Sequence, residues 1–278
     1  MTRRPPIDRR ALFASGAAAA LLAAAGVSAG PLPQRGGKLR LAVSGALRSD
    51  SWQAGSGLFM QVARQGLVFE TLTEVAADGT LRGELAANWT GSPDGRVWEF
   101  DLRKDAVFHD NAQFTSADVV QCLEMNAVIT ALDTHRVRFE LAIPDASFPF
   151  KLSDPAHVIR PAHAPQSGIG TGLYRVVHFA PGQQLIAKRV PRHPKDGQAG
   201  WFDQVELASI PSEEVRAQAL AEYLVDGADL ADPSMLRTFD DIVTHQAHAV
   251  SRSIATPMVI GTQRPLDNLR AAQRWWAA

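Results

Sequence analysis

Histidines, one cysteine and a run of glycines are the features of this 278-residue chain whose chemistry could reach beyond packing. Of the eight histidines, His245 and His248 stand three apart, a spacing that sets two imidazoles on one helix face, while His157 and His163 share one loop. No cysteine or carboxylate cluster joins either pair at ligand spacing, so neither a metal nor a cofactor is expected. Cys122 is the single cysteine, which rules out an intrachain disulfide. It falls on a helical stretch beside Val119, Val120 and Leu123, with no basic neighbour to lower its pKa, and reads as a buried inert thiol. Gly168, Gly170 and Gly172 follow a G-x-G-x-G rhythm rather than the G-x-G-x-x-G of dinucleotide sites, and read as a tight turn. Neither G-x-S-x-G nor H-E-x-x-H occurs, and spacing assembles no triad. No catalytic residue is expected, and the chain is not expected to be an enzyme.

A chain that binds rather than reacts needs rigid elements to present its contacts. "KLRLAV" alternates apolar residues at period two, as a strand does, and residues 56–71 follow a helical pattern broken by Gly66. Two hairpins come next, one around Asp78 and Gly79 and one around Pro93, Asp94 and Gly95, the second setting Trp98, Phe100 and Leu102 on one face. Thr115 and Asp118 form a capping box that predicts a helix from Ser116. In "HRVRFELAI" a strand should turn Val137, Phe139, Leu141 and Ile143 inward. A hairpin around Pro181 and Gly182, a strand in "FDQVELASI", a helix capped by Ser212 and a late strand in "TPMVIGTQ" complete an α/β pattern.

The composition, 46% hydrophobic and 21% charged, predicts one or two globular domains. Residues 1–29 differ in kind. A basic start, an Ala/Leu run and a small-residue exit read as an export signal, and Arg9 and Arg10 followed by Ala11, Leu12 and Phe13 fit the twin-arginine form. Cleavage after Ala29 would remove four Arg and one Asp, taking the net charge from −1 to −4. That balance gives no footprint for nucleic acid.

The stretch from Leu85 to Val119 carries a resemblance. Leu85, Ala86 and Trp89, then Asp94 and Gly95, then Phe100, Leu102 and Arg103, then Phe108, His109 and Asp110, then Thr115, Ala117, Asp118 and Val119 are similar to the run LA-x-x-W, DG, F-x-L-R, F-H-D-G, T-A-x-D-V of the family 5 extracytoplasmic solute-binding proteins. These are the peptide, dipeptide and nickel receptors of ABC importers. Asn111 replaces the family's Gly and still tolerates a left-handed backbone. "GGKLRLAV", "VFETLTEVAADG", "ITALDTHRVRFEL", "GTGLYRV", "RAQALAEYLVDGADL" and "RPLDNLRAAQRWWAA" extend the resemblance over almost all of the chain after the signal.

The resemblance implies a periplasmic-binding-protein type II fold, shortened to part of lobe I and the small domain II. Lobe I is expected in residues 30–48 and 166–264, domain II in 49–165, and a helical stub of the missing lobe in 265–278. His109 is implied to be a structural hydrogen-bonding residue, and Trp89 and Trp98 core residues of domain II. Clefts in such folds open at the carboxyl ends of strands. Ser44, Trp52, Thr171 and Tyr174 are therefore the expected ligand-facing residues, and Trp275 and Trp276, with Leu266 and Leu269, are expected to cover an apolar surface. The implied function is a periplasmic receptor for peptides or a similar small polar ligand, with importer permease subunits as partners and a possible homodimer. The alternative is a lobe-deficient binding or scaffold module acting through a partner chain or dimer, or a decayed family member.

Overall fold

The computed structural model describes residues 35–75, 80–246 and 253–257. The export signal, the turn at Asp78 and Gly79, His248 and the stub at 265–278 lie outside the described residues.

In the middle of the chain, turn chemistry does the local work. Gly95, at φ +68°, closes the Pro-Asp-Gly turn, and Ser92 holds it by accepting from Arg96 N and Val97 N at 3.2 and 2.8 Å. The flanking strands β4 (Ala86–Gly91) and β5 (Val97–Leu102) pair antiparallel, with Trp89 opposite Phe100. β6 (Ala127–Asp133) and β7 (Arg136–Leu141) complete a four-stranded sheet in the order β4-β5-β7-β6. Its inner face sets Phe100 edge-to-face against Phe139 at 5.4 Å, with Phe148 against both. Helix α1 (Ser116–Cys122) starts at the Thr115 and Asp118 capping box and covers the same face through Val119. Val137, Phe139 and Leu141 point inward, but Ile143 is exposed, because β7 ends at Leu141 and the chain turns out toward Asp145.

The second sheet has seven strands in the order β12-β13-β11-β1-β10-β9-β8. β1 (Lys38–Val43) lies parallel to both β10 (Gln204–Ser209) and β11 (Gly227–Leu230). β8 (Tyr174–Ala180) and β9 (Gln184–Arg189) extend one side as the Gly182 hairpin, while β12 (Ile242–Gln246) and β13 (Ser253–Pro257) form the other margin. β1 is covered on both faces. Leu39, Leu41 and Val43 pack on a short α-helix (Leu58–Gln61) that continues as a π-helix (Val62–Val68). Ala42 meets helix α2 (Glu213–Ala221), whose start Ser212 caps by accepting from Val215 N.

This packing moves a boundary. Trp52, Phe59, Met60, Leu67 and Phe69 belong to the core of the large sheet, and the four-stranded core begins at Leu72 and closes at Ile159. The small domain therefore starts near residue 70, not at 49. Residues 49–69 read as its entry because their helical period shows only that one face is buried, not against which sheet.

Candidate functional site at the carboxyl edge of the large sheet

Three parallel strands end at one edge. Just past β1 stands Ser44, past β10 come Ile210 and Pro211, and β11 carries Asp229 next to its last residue. Ser44 donates both its backbone N–H and its hydroxyl to the Asp229 carboxylate, each at 2.7 Å. Arg216, on α2, is 1% exposed and Asp229 is wholly buried. The guanidinium donates to the carbonyls of Asp229, Ile210 and Pro211 at 2.8, 2.7 and 2.9 Å, and its Nε lies 3.3 Å from the Asp229 carboxylate. Glu213 accepts from the N–H groups of Ala231 and Asp232 at 2.8 Å each. One side-chain network thus satisfies the backbone ends of three strands, where water would otherwise have to enter.

The loop after β1 rests directly on this platform. A Cβ on Gly57 would stand 1.8 Å from the Gly45 carbonyl oxygen, so only glycine lets the two segments touch. Ser44 gives its proton to a carboxylate already held by a guanidinium, which is a weak base. The arrangement is suited to holding a ligand rather than to activating a nucleophile.

The four sequence-expected contacts do not converge. Trp52 is buried, its ring 4.5 Å from Phe179 and 5.8 Å from Phe69, so it is a core residue and not a ligand face. Tyr174 is also buried, and its hydroxyl donates to the Phe202 carbonyl at 2.9 Å, with burial holding the phenol far above its ordinary pKa. Thr171 is buried with its hydroxyl unpartnered. Strand direction explains the separation. β8 is antiparallel to β9 and β9 to β10, so β8 runs with β1, and the residues preceding β8 lie at the amino edge. Six residues of strand put about 20 Å between that edge and Ser44. Asp229 and Arg216 were missed. The available signal was a charged residue, Arg216, on the helix face that carries Ala217 and Leu220.

At the amino edge, the small domain joins the large sheet through polar contacts. A Cβ on Gly170 would stand 1.9 Å from the Val68 carbonyl, so this strap crosses the end of the π-helix in direct backbone contact. His109 fastens it. The Gly170 N–H donates to Nδ1 at 3.3 Å, and Nε2 meets the Gly172 carbonyl at 2.8 Å, so Nε2 carries the proton. Beside the strap, a groove of about 620 Å³ runs between the sheet and the small domain. Lys195 lies within it, its ammonium against Glu84, 3.1 Å from Glu74 and 3.3 Å from Glu70.

Burial lowers the His109 pKa below its ordinary value, outweighing the Gly172 carbonyl that favours the charged form. The unfolded chain then binds the more protons, so the strap contact is fully present above about pH 6.5 and is lost as pH falls toward the folded pKa. The urea midpoint should therefore drop more between pH 7.5 and pH 5 in the wild type than in His109→Gln, whose amide donates without titrating. Equal drops would remove His109 from the pH response.

The remaining histidines do not pair. His157 meets the Lys151 carbonyl at 2.7 Å, His163 meets Asp110 at 2.7 Å, and His245 lies in β12 rather than on a helix. No group of three or more possible metal ligands occurs among the described residues. Cys122 is half-buried rather than buried. Its sulfur accepts from Arg160 N and donates to the Val158 carbonyl, both at 3.3 Å, and Arg64 is an electrostatic neighbour, so the thiol does have basic company.

The family model "Bacterial extracellular solute-binding proteins, family 5 Middle" matches residues 80–270. The probable D,D-dipeptide-binding periplasmic protein of Escherichia coli K12 is 28% identical over 193 residues, covering 58% of this chain and 37% of that protein. The nickel-binding periplasmic protein of the same organism is 28% identical over 138 residues, covering 40% of this chain and 26% of that protein. Among solved structures, a periplasmic binding protein from Helicobacter pylori in complex with the peptide STSA aligns at TM-score 0.66 and 21% identity, covering 77% of this chain and 51% of that one. An agropinic acid complex from A. tumefaciens R10 aligns at TM-score 0.67 and 23% identity, covering 75% and 47%. The chain spans roughly a quarter to a half of the length of these relatives.

Proposed function

Because the chain belongs to the bacterial extracellular solute-binding proteins of family 5, we propose that it captures a peptide or similar small polar ligand for an ABC importer and presents it to the permease subunits. The observation that supports this reading is the polar edge built by Ser44, Asp229 and Arg216, where the ends of three parallel strands are held rigid at the position open sheets use for ligands. The relatives supply the ligand class, since they include a dipeptide-binding protein and a peptide complex. Export by the twin-arginine route through Arg9 and Arg10, to the periplasm, is part of the proposal. One edge covers one side of a ligand, whereas small-ligand sites bury most of the ligand surface. A second wall from a partner chain, or from a second copy in a homodimer, is the alternative that this open edge favours.

One experiment joins these points. The full chain and its variant carrying Arg9→Lys with Arg10→Lys are expressed in a bacterium, and the periplasmic product is titrated with di- and tripeptides by amide NMR. The wild type should reach the periplasm and the variant should not. Peptide-induced shifts should fall at residues 44–47, 209–212 and 229–232. Equal export would sink the route, and shifts confined to the amino edge, or none, would sink the ligand site.

A further inference from the structure

Helix α2 ends in an unusual way. Tyr223 follows it at φ +56°, in the left-handed region that glycine or asparagine normally fills at this position. The turn is held by Tyr223 N donating to the Leu220 carbonyl at 3.0 Å and Leu224 N to the Ala219 carbonyl at 2.9 Å. Such caps ordinarily fold their next apolar residue back on the helix. Leu224 instead stands 59% exposed, and Tyr223 is 53% exposed. Backbone strain that displays apolar side chains is a reason to look for what they meet. The Tyr223 hydroxyl reaches the Asp241 carboxylate, which brings the end of α2 beside Phe239, 38% exposed, and Met235 one turn before it, 40% exposed. Four exposed large apolar side chains therefore stand on two segments that the Tyr223–Asp241 contact holds together.

The chain itself passes these segments. Ile242 N donates to the Phe239 carbonyl at 3.3 Å, and Ile242 is paired with Pro257, the last described residue. The 21 residues that follow include Met258, Val259, Ile260, Leu266, Leu269, Trp275 and Trp276. Leu266, Leu269 and Trp276 recur at helical spacing. We propose that residues 265–276 dock on the face formed by Tyr223, Leu224, Met235 and Phe239. Nine residues from Pro257 to Leu266 can span up to about 30 Å, so the tether covers the face without strain. A short tether gives a millimolar effective concentration, well above the concentration at which a second copy would compete. Val107, Val120, Val128, Leu132, Ile143 and Phe150 are exposed on the small domain, and Leu47, Val177 and Val215 are exposed singly on the β1 loop, β8 and the first turn of α2, whereas Trp52 and Tyr174 are buried. This inference does not depend on the ligand site.

Hydrogen exchange read by mass spectrometry tests it on the purified chain and on the double variant Leu224→Asp with Phe239→Asp. Both positions are exposed, so the fold should persist, and unchanged exchange of β1 amides confirms that it does. Amides at 266–276 should be protected in the wild type and exchange at least ten-fold faster in the variant. A chain ending at Pro257 should in turn show faster exchange at 223–225 and greater binding of an apolar dye. Unprotected exchange of 266–276 in the wild type, or equal protection in both proteins, overturns the proposal. So does protection that rises with protein concentration together with dimer in sedimentation, since a second copy would then be the occupant.

Discussion

Replacing Arg216 by Met should cost about 3–5 kcal/mol, the usual loss when one member of a buried ion pair is removed. Arg216 supplies the charge opposite Asp229 and three hydrogen bonds to strand-end carbonyls. Methionine fills much of the volume but returns neither, so the Asp229 carboxylate stays buried with the two Ser44 donors and no guanidinium. The carbonyls of Ile210 and Pro211 lose their donor as well. Adding Asp229→Leu should recover part of the loss, because that buried carboxylate is then gone, although the Ser44 N–H loses its Asp229 acceptor and the Ile210 and Pro211 carbonyls lose the Arg216 donor. Urea unfolding of the single and double variants measures both quantities. A single-variant loss below about 1 kcal/mol would mean that water reaches the site and that the carboxyl edge is not the rigid platform described here.

The same network shows what local sequence signals carry and what they leave out. The Pro-Asp-Gly hairpin, the capping box at Thr115 and Asp118, the Ser212 cap and the Gly182 hairpin are all set by residues within a few positions of one another, and each forms where expected. The left-handed Asn111, at φ +69°, belongs with them. Pairing over long separations is not written in period or capping. That residues 170–173 lead into a strand beginning at Tyr174 is legible, but that this strand runs with β1, and so starts at the far edge from Ser44, depends on the order β1-β10-β9-β8. Trp52 looked like a loop aromatic free to meet a ligand until Phe179, more than a hundred residues on, closed over it. Cys122 lacks basic neighbours in sequence and gains Arg64 as an electrostatic neighbour from a distant stretch of the chain. Arg216 was passed over because a charge on a helix is ordinarily solvated; only the β1-β11 pairing, which sets Asp229 beside Ser44, makes an inward guanidinium affordable.

The joint between the two cores should be equally sensitive at one residue. Lys195, in the loop between β9 and β10, extends its ammonium to Glu70, Glu74 and Glu84, all contributed by the stretch that leads from the π-helix into the small domain. Glu84 is almost completely buried and also accepts the Thr71 N–H and hydroxyl at 2.9 and 2.8 Å. The loop is braced from behind, because His193 donates to the Thr171 carbonyl at 3.0 Å and accepts the Lys195 N–H at 3.1 Å. One cation shared by three carboxylates at low exposure is worth more than a surface pair, since its removal leaves like charges facing one another out of water. Lys195→Met should therefore lose about 3 kcal/mol or more. Lys195→Arg should lose much less, because it keeps the charge while changing the geometry. The loss has a location as well as a size. Hydrogen exchange at the strap, residues 170–172, and at β2 (Thr73–Val75) and β3 (Leu81–Gly83) should accelerate in the Met variant before β1 does, because the joint opens while the large sheet remains paired. Uniform acceleration across both sheets would show instead that the cores unfold as one unit. A loss under about 1 kcal/mol would show that Lys195 is a solvated charge rather than the tie between the loop and the small domain.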